Sequence, residues 1–97
     1  MSLKIEKKNA EVVALDGRLD SLTAPELEAE IDSLLPSAQS LTLDMERLYY
    51  ISSEGLRVIL KTHKALEKKE GLKLSHVSQE VNEIFTITGF SDFLNIV

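Results

Sequence analysis

Apolar residues along this 97-residue chain switch repeatedly between alternate spacing and helical spacing. Neither an all-helical nor an all-strand fold accommodates that pattern, so helices must pack on a sheet. Leu3 and Ile5 alternate with Lys4 and Glu6, as in a short edge strand. Lys8-Asn9 turns the chain into Glu11–Leu15, whose continuous apolar run predicts a central strand covered on both faces. Asp16-Gly17 breaks the run, with extended chain to Leu19. Thr23-Ala24-Pro25-Glu26 then spells a helix start: a capping hydroxyl, a proline in the first turn and a glutamate three residues past the cap. Leu27, Ile31 and Leu34 follow at helical spacing until Pro36.

Leu41, Leu43 and Met45 mark a third strand, followed by a loop over 46–52. A second helix carries its stripe on Leu56, Ile59, Leu60, His63 and Leu66, and Gly71 follows it. Leu72 and Leu74 form a fourth strand. Ser78 caps a third helix with Val81, Ile84, Phe85 and Thr88 on its stripe and Gly89 at its end. Phe93–Val97 is apolar enough to dock. The expected fold is α/β, one domain over 1–97, in the order β-β-α-β-α-β-α plus a docked tail. Right-handed crossovers make most neighbours parallel, and the opening hairpin makes the four- to five-stranded sheet mixed.

Composition removes several function classes. The net charge of -5 argues against a nucleic-acid partner, which requires clustered cations. The run Lys61–Lys69 is diluted by Glu67 and followed by Glu70, and reads as a solvated helix face. The absence of cysteine excludes disulfides and thiolate chemistry, and fits a reducing, cytoplasmic setting. No stretch approaches the ~20 apolar residues of a membrane span, nor does one read as a signal peptide, so direct membrane insertion is not expected.

Ligands of open α/β sheets gather at the carboxyl ends of the strands. Here those ends lead into 18–23, 46–53 and Val77-Ser78, with Asp20 and Asp44 as nearby carboxylates. Tyr49-Tyr50-Ile51 is unusually apolar for a loop. Ser52-Ser53 opens the second helix, and two readings of it stand. A serine hydroxyl there caps free N–H groups, worth roughly 1 kcal/mol. A phosphate there would also sit against the positive end of the helix dipole.

The segment Leu43-Asp44-Met45, then Leu48 through Leu60 with Ser52-Ser53-Glu54-Gly55-Leu56-Arg57 inside it, resembles the signature of STAS domains, in particular bacterial anti-sigma-factor antagonists. Gly17-Arg18-Leu19-Asp20 with Thr23-Ala24 is similar to their first loop. Val77-Ser78, Val81, Ile84-Phe85 and Thr88-Gly89-Phe90 are similar to their last helix. The resemblance implies a single STAS-like domain of 1–97 that regulates transcription by binding an anti-sigma factor with serine-protein kinase activity. It also implies phosphorylation at Ser53, reversed by a phosphatase, with Ser52 and Thr23 as minor acceptors. The partner surface would include Asp20, Thr23, Asp44, Tyr50, Ser52, Ser53, Glu54, Gly55 and Arg57. The chain departs from the pattern at Ser52, where many members have Asp, and at Glu54, where many have Ser, Ala or Gly. Glu54 either tunes the switch or marks a member that no longer cycles. Other members of the fold are soluble adaptor subunits of membrane transport systems, or docking domains without phosphorylation.

An enzyme is not expected. Serine catalysis needs a base, and His63 lies ten residues along the helix from Ser53, roughly 15 Å away. His63 reads as a partly buried structural residue. His76 could approach the carboxyl edge but has no evident partner. Two separated histidines without cysteine predict no metal-ligand cluster, and neither a phosphate-binding glycine loop nor any cofactor is indicated.

Overall fold

The computed structural model describes residues 3–97. The elements are β1 (Leu3–Lys7), β2 (Val12–Leu19), α1 (Ala24–Leu34), β3 (Ser40–Ile51), α2 (Ser53–Leu66), β4 (Gly71–Ser75), α3 (Gln79–Ile87), a 3-10 turn (Phe90–Asp92) and β5 (Asn95–Ile96). The sheet runs β1-β2-β3-β4-β5, with β1 antiparallel to β2 and the other pairs parallel. Order and topology follow the expected pattern. The docked tail is the 3-10 turn and a last strand beside β4.

Each crossover joins adjacent strands in one direction across the sheet, so a common right hand places all three helices on one face. Burial agrees. Val13, Leu15, Leu43, Met45 and Leu74 join Leu27, Ile31, Ile59 and Phe85 in one core. The expectation that β2 is covered on both faces is therefore corrected. Its burial alternates, with Asp16 exposed on the open side. Val12 and Ala14 look like core in sequence because they are apolar, yet they sit half-buried beside Thr42, Glu6 and Asp44 of the flanking strands.

A second correction concerns residues 46–51, which are strand, not loop. The register steps from Asp44 opposite Ala14 to Arg47 opposite Asp16, and again from Leu48 opposite Gly17 to Tyr50 opposite Arg18. Each step inserts an extra residue in β3, a bulge that breaks the period of two. The two-residue alternation therefore stops at Met45 while the backbone pairing continues.

On α2 the buried arc takes in Val58 and Thr62, while Leu60 and His63 lie at its margin. The helix touches β3, β4 and α1 together, which widens and rotates the covered face. His63 is half-buried as expected, its ring 5.1 Å from that of Phe93. On α3, Thr88 is exposed and turns its hydroxyl back to the Ile84 carbonyl, so it leaves the expected stripe. Gly89 takes φ 82°, the left-handed conformation that ends a helix at least cost.

Candidate functional site

The carboxyl ends of β2 and β3 meet where the two first helices begin. The Ser52 N–H donates to the Leu19 carbonyl at 2.9 Å, tying the end of one strand to the start of α2. A Cβ at Gly55 would come within 2.6 Å of Leu19 Cγ and 2.9 Å of Ile51 Cγ1. Only glycine lets α2 approach both strand ends this closely, and that contact fixes where the helix starts.

The start of α1 is locked. The expected capping box is absent, because the Thr23 side chain makes no cap bond. Its hydroxyl points inward instead, donating to the Arg18 carbonyl at 2.8 Å and accepting the Asp20 N–H at 2.9 Å. Thr23 is 3 % exposed. Asp20 braces the loop before the helix: its Oδ1 accepts the N–H of Leu22 at 3.0 Å and of Thr23 at 3.1 Å, and its backbone carbonyl accepts the Ala24 N–H at 2.8 Å. Desolvation pushes the Asp20 carboxyl pKa up, but these N–H groups, the Thr23 hydroxyl and the Arg18 side chain outweigh it and hold it below the usual value. Sequence reasoning missed Leu22, which this braced loop holds 79 % exposed beside the site.

The start of α2 is open. Ser52 is the cap residue, its Oγ accepting the Gly55 N–H at 3.4 Å. Ser53, one residue inside, is exposed, and its hydroxyl makes no hydrogen bond among the described residues. The N–H groups of Ser53 and Glu54 are among those a helix cannot satisfy internally. Glu54 is exposed in the same first turn. An acceptor group added at Ser53 would meet donors on one side and the Glu54 carboxylate on the other.

Behind this turn, a charged clip joins the two helices. Arg57 Nη2 lies 3.2 Å from Glu28 Oε1, and Lys61 Nζ lies 2.7 Å from Glu28 Oε2 and 3.4 Å from Asp32 Oδ1. Hydrogen bonds from Lys61 and then Arg57 lower the Glu28 carboxyl to about 2. The hydrogen bond to Glu28, with its charge, raises Arg57 in turn, and Glu54 adds to that field.

Tyr50 lies on β3 opposite Arg18, whose guanidinium sits 4.2 Å from the ring centroid and 3.5 Å from Asp20 Oδ2. This Tyr50–Arg18–Asp20 chain links the strand to the locked loop. Neither the resemblance nor the spacing marks Arg18 for it, because the β3 bulges decide which residue it faces.

Asp44 does not join this edge. It lies mid-strand, opposite Ser75, with seven residues of β3 between it and the helix start. At about 3.3 Å per residue that is roughly 20 Å. There it borders a groove of about 280 Å³ on the open face, with Lys4, Glu6, Asp16, Glu46 and Arg47. His76 Nδ1 approaches Asp44 Oδ1 at 3.1 Å, and ligand atoms of Asp44, Glu46 and His76 lie within 4.8 Å of one another. The expectation of no ligand cluster is thus corrected: β3 and β4 bring together groups that are far apart in sequence, with a donor set able to hold a divalent cation. The contact between His76 and Asp44 accounts for their approach without an ion.

Comparison with known proteins places this arrangement in context. A family profile described as "Mlab, STAS domain" matches residues 4–97. BtrV of Bordetella bronchiseptica is 39 % identical over 93 residues, covering 93 % of this chain and 80 % of that protein. The anti-sigma-B factor antagonist of Bacillus subtilis is 30 % identical over 100 residues, covering 99 % and 92 %. Among solved structures, Bacillus SpoIIAA in unphosphorylated and phosphorylated forms gives TM-scores of 0.72 and 0.70 at 20 % and 21 % identity. Those alignments cover 98 % of this chain in both cases, and 86 % and 90 % of the two SpoIIAA chains. At that identity the likeness to SpoIIAA is one of fold.

Proposed function

The chain belongs to the STAS domain family, and from that premise we propose that it is an anti-sigma factor antagonist, switched by phosphorylation at Ser53. The Bacillus subtilis relative, an anti-sigma-B factor antagonist matched along nearly its whole length, supports the regulatory role. The partner is an anti-sigma factor with serine kinase activity, docking on the edge formed by Asp20, Tyr50, Ser52, Ser53 and the first turn of α2. The action is binding, with no reaction catalysed by this chain.

One observation carries the choice of acceptor: Ser52 takes the capping role, leaving the Ser53 hydroxyl exposed and unengaged. A kinase needs such a hydroxyl. Phosphate at Ser53 is favourable in the free chain, because the helix dipole and the free N–H groups receive it. Buried against an unmodified partner surface, the same dianion would cost several kcal/mol unless a cation paired it. That difference separates a binding state from a released one.

The test is incubation with ATP and the serine-kinase anti-sigma factor of the same genome, followed by phosphosite mapping. Modification at Ser53, lost in Ser53→Ala, is the expected result, together with weakened binding by Ser53→Asp. An unmodified Ser53, or a complex indifferent to Ser53→Asp, overturns the switch and favours a constitutive docking or transporter-adaptor role. Glu54→Ala is expected to change the rate of phosphorylation, since the carboxylate occupies the same helix turn.

A further inference from the structure

We infer that a phosphate on Ser53 is received within the chain by Arg57, which leaves its contact with Glu28 while Lys61 keeps that carboxylate. The inference rests on the reading of Ser53 as a phosphate acceptor and names the residue that completes the switch.

Ser53 and Arg57 stand one helical turn apart on α2. Side chains on a helix lean toward its N-terminus, so Arg57 covers the turn that begins with Ser53. An anionic group four residues before a cation is also the more favourable orientation of such a pair. Lys61 stands eight residues from Ser53, about 12 Å along the axis, and is committed to Glu28 and Asp32. Among the cations of the clip, only Arg57 is placed for the task.

The clip is built so that Arg57 can leave. Glu28 is held through both oxygens by different cations, Oε1 by Arg57 at 3.2 Å and Oε2 by Lys61 at 2.7 Å. When Arg57 turns away, Glu28 keeps its shorter contact. The Arg57–Glu28 pair is solvent-exposed, and such pairs contribute little. A guanidinium–phosphate pair is charge-assisted and can form two parallel bonds. The exchange replaces a weak contact with a stronger one. It also relieves the repulsion between the phosphate and Glu54, because Arg57 already lies in the field of that carboxylate.

Phosphorylation then alters two features of the partner surface together. A neutral hydroxyl becomes a dianion, and a guanidinium is drawn onto it and away from the partner. One of the three ion pairs between α1 and α2 is released in the same event.

The test needs no kinase. Phosphoserine is installed at position 53 during translation, and the phosphate is titrated by phosphorus NMR in the full chain and in Arg57→Gln. The second phosphate ionisation is expected about 0.5 unit lower with Arg57 present. Carbon-detected titration of Glu28 gives the other half: its carboxyl, held at about 2 by Lys61 and Arg57, should titrate higher once Ser53 is phosphorylated. Arg57 is half-exposed on α2, so Arg57→Gln should fold normally. Identical phosphate titrations in the two chains, or a Glu28 carboxyl unmoved by phosphorylation, would overturn the inference. Failure of any kinase to modify Ser53 would instead count against the functional reading and leave this measurement standing.

Discussion

The starts of α1 and α2 lie side by side at one edge of the sheet, and each follows a strand end with a hydroxyl residue. They put that hydroxyl to opposite uses. Thr23 is buried, bonded to the Arg18 carbonyl and the Asp20 N–H, and serves as internal bracing. Ser53 is exposed and unengaged because its neighbour Ser52 caps the helix. The residue type is nearly the same. The difference comes from what meets each hydroxyl: the Arg18 carbonyl and the Asp20 N–H at α1, and at α2 no partner, because the serine one position earlier already caps the first turn. What differs is whether other groups of the fold engage the hydroxyl, as at Thr23, or leave it exposed, as at Ser53.

The sharpest way to break this comparison is Thr23→Val. The substitution keeps the shape and strips the hydroxyl, leaving the Asp20 N–H and Arg18 carbonyl without that partner in a partly buried place, so about 2 kcal/mol of stability should be lost. Urea unfolding measures it; a loss below about 0.5 kcal/mol would show that the α1 start is no more locked than the α2 start.

Next comes Gly55→Ala. Overpacking against Leu19 and Ile51 costs about 1–3 kcal/mol, and the helix gains about 1 kcal/mol from losing glycine. A net loss of up to about 2 kcal/mol is expected. A more stable variant would mean that α2 can move off the strand ends.

The two serines then separate. Ser52→Ala should cost about 1 kcal/mol as a lost cap, whereas Ser53→Ala should fall within about 0.5 kcal/mol of the parent. Equal effects would contradict the division of labour between them.

The finest test is acid dependence. Both Asp20 and Glu28 titrate below their ordinary values in the folded chain. A depressed carboxyl contributes stability that is present above its unfolded pKa and lost as pH falls through the folded one. For Glu28 that window runs from 4.5 down to about 2. Unfolding midpoints measured across it should fall in the parent chain and fall less steeply in Glu28→Gln. An unchanged slope would show that the clip contributes nothing in solution.

How much of this could be read from residues alone varied with the range of the interaction. Leu27, Ile31 and Leu34 revealed the buried face of α1 because helix periodicity is a property of consecutive residues. Ser78 revealed its own cap, accepting the Val81 N–H at 3.2 Å, because the cap and its donor are three residues apart. Residues 46–51 read as loop because two bulges erase the alternation that marks a strand. Asp44 read as a neighbour of Ser53, yet β3 runs on past it and carries the site away.

Sequence by itself determined the order of elements, the parallel crossovers and the turn that holds Ser53, since these follow from local spacing, caps and the limits on chain connections. Only the tertiary structure decided which hydroxyl is free. That Thr23 turns inward depends on an Arg18 carbonyl presented by β2, and that Arg57 has a partner to leave depends on α1 lying against α2. The Arg57 contact joins residues 29 apart in the chain, and even the Thr23 contact, five residues long, depends on how β2 hands over to α1, which periodicity and capping patterns do not encode.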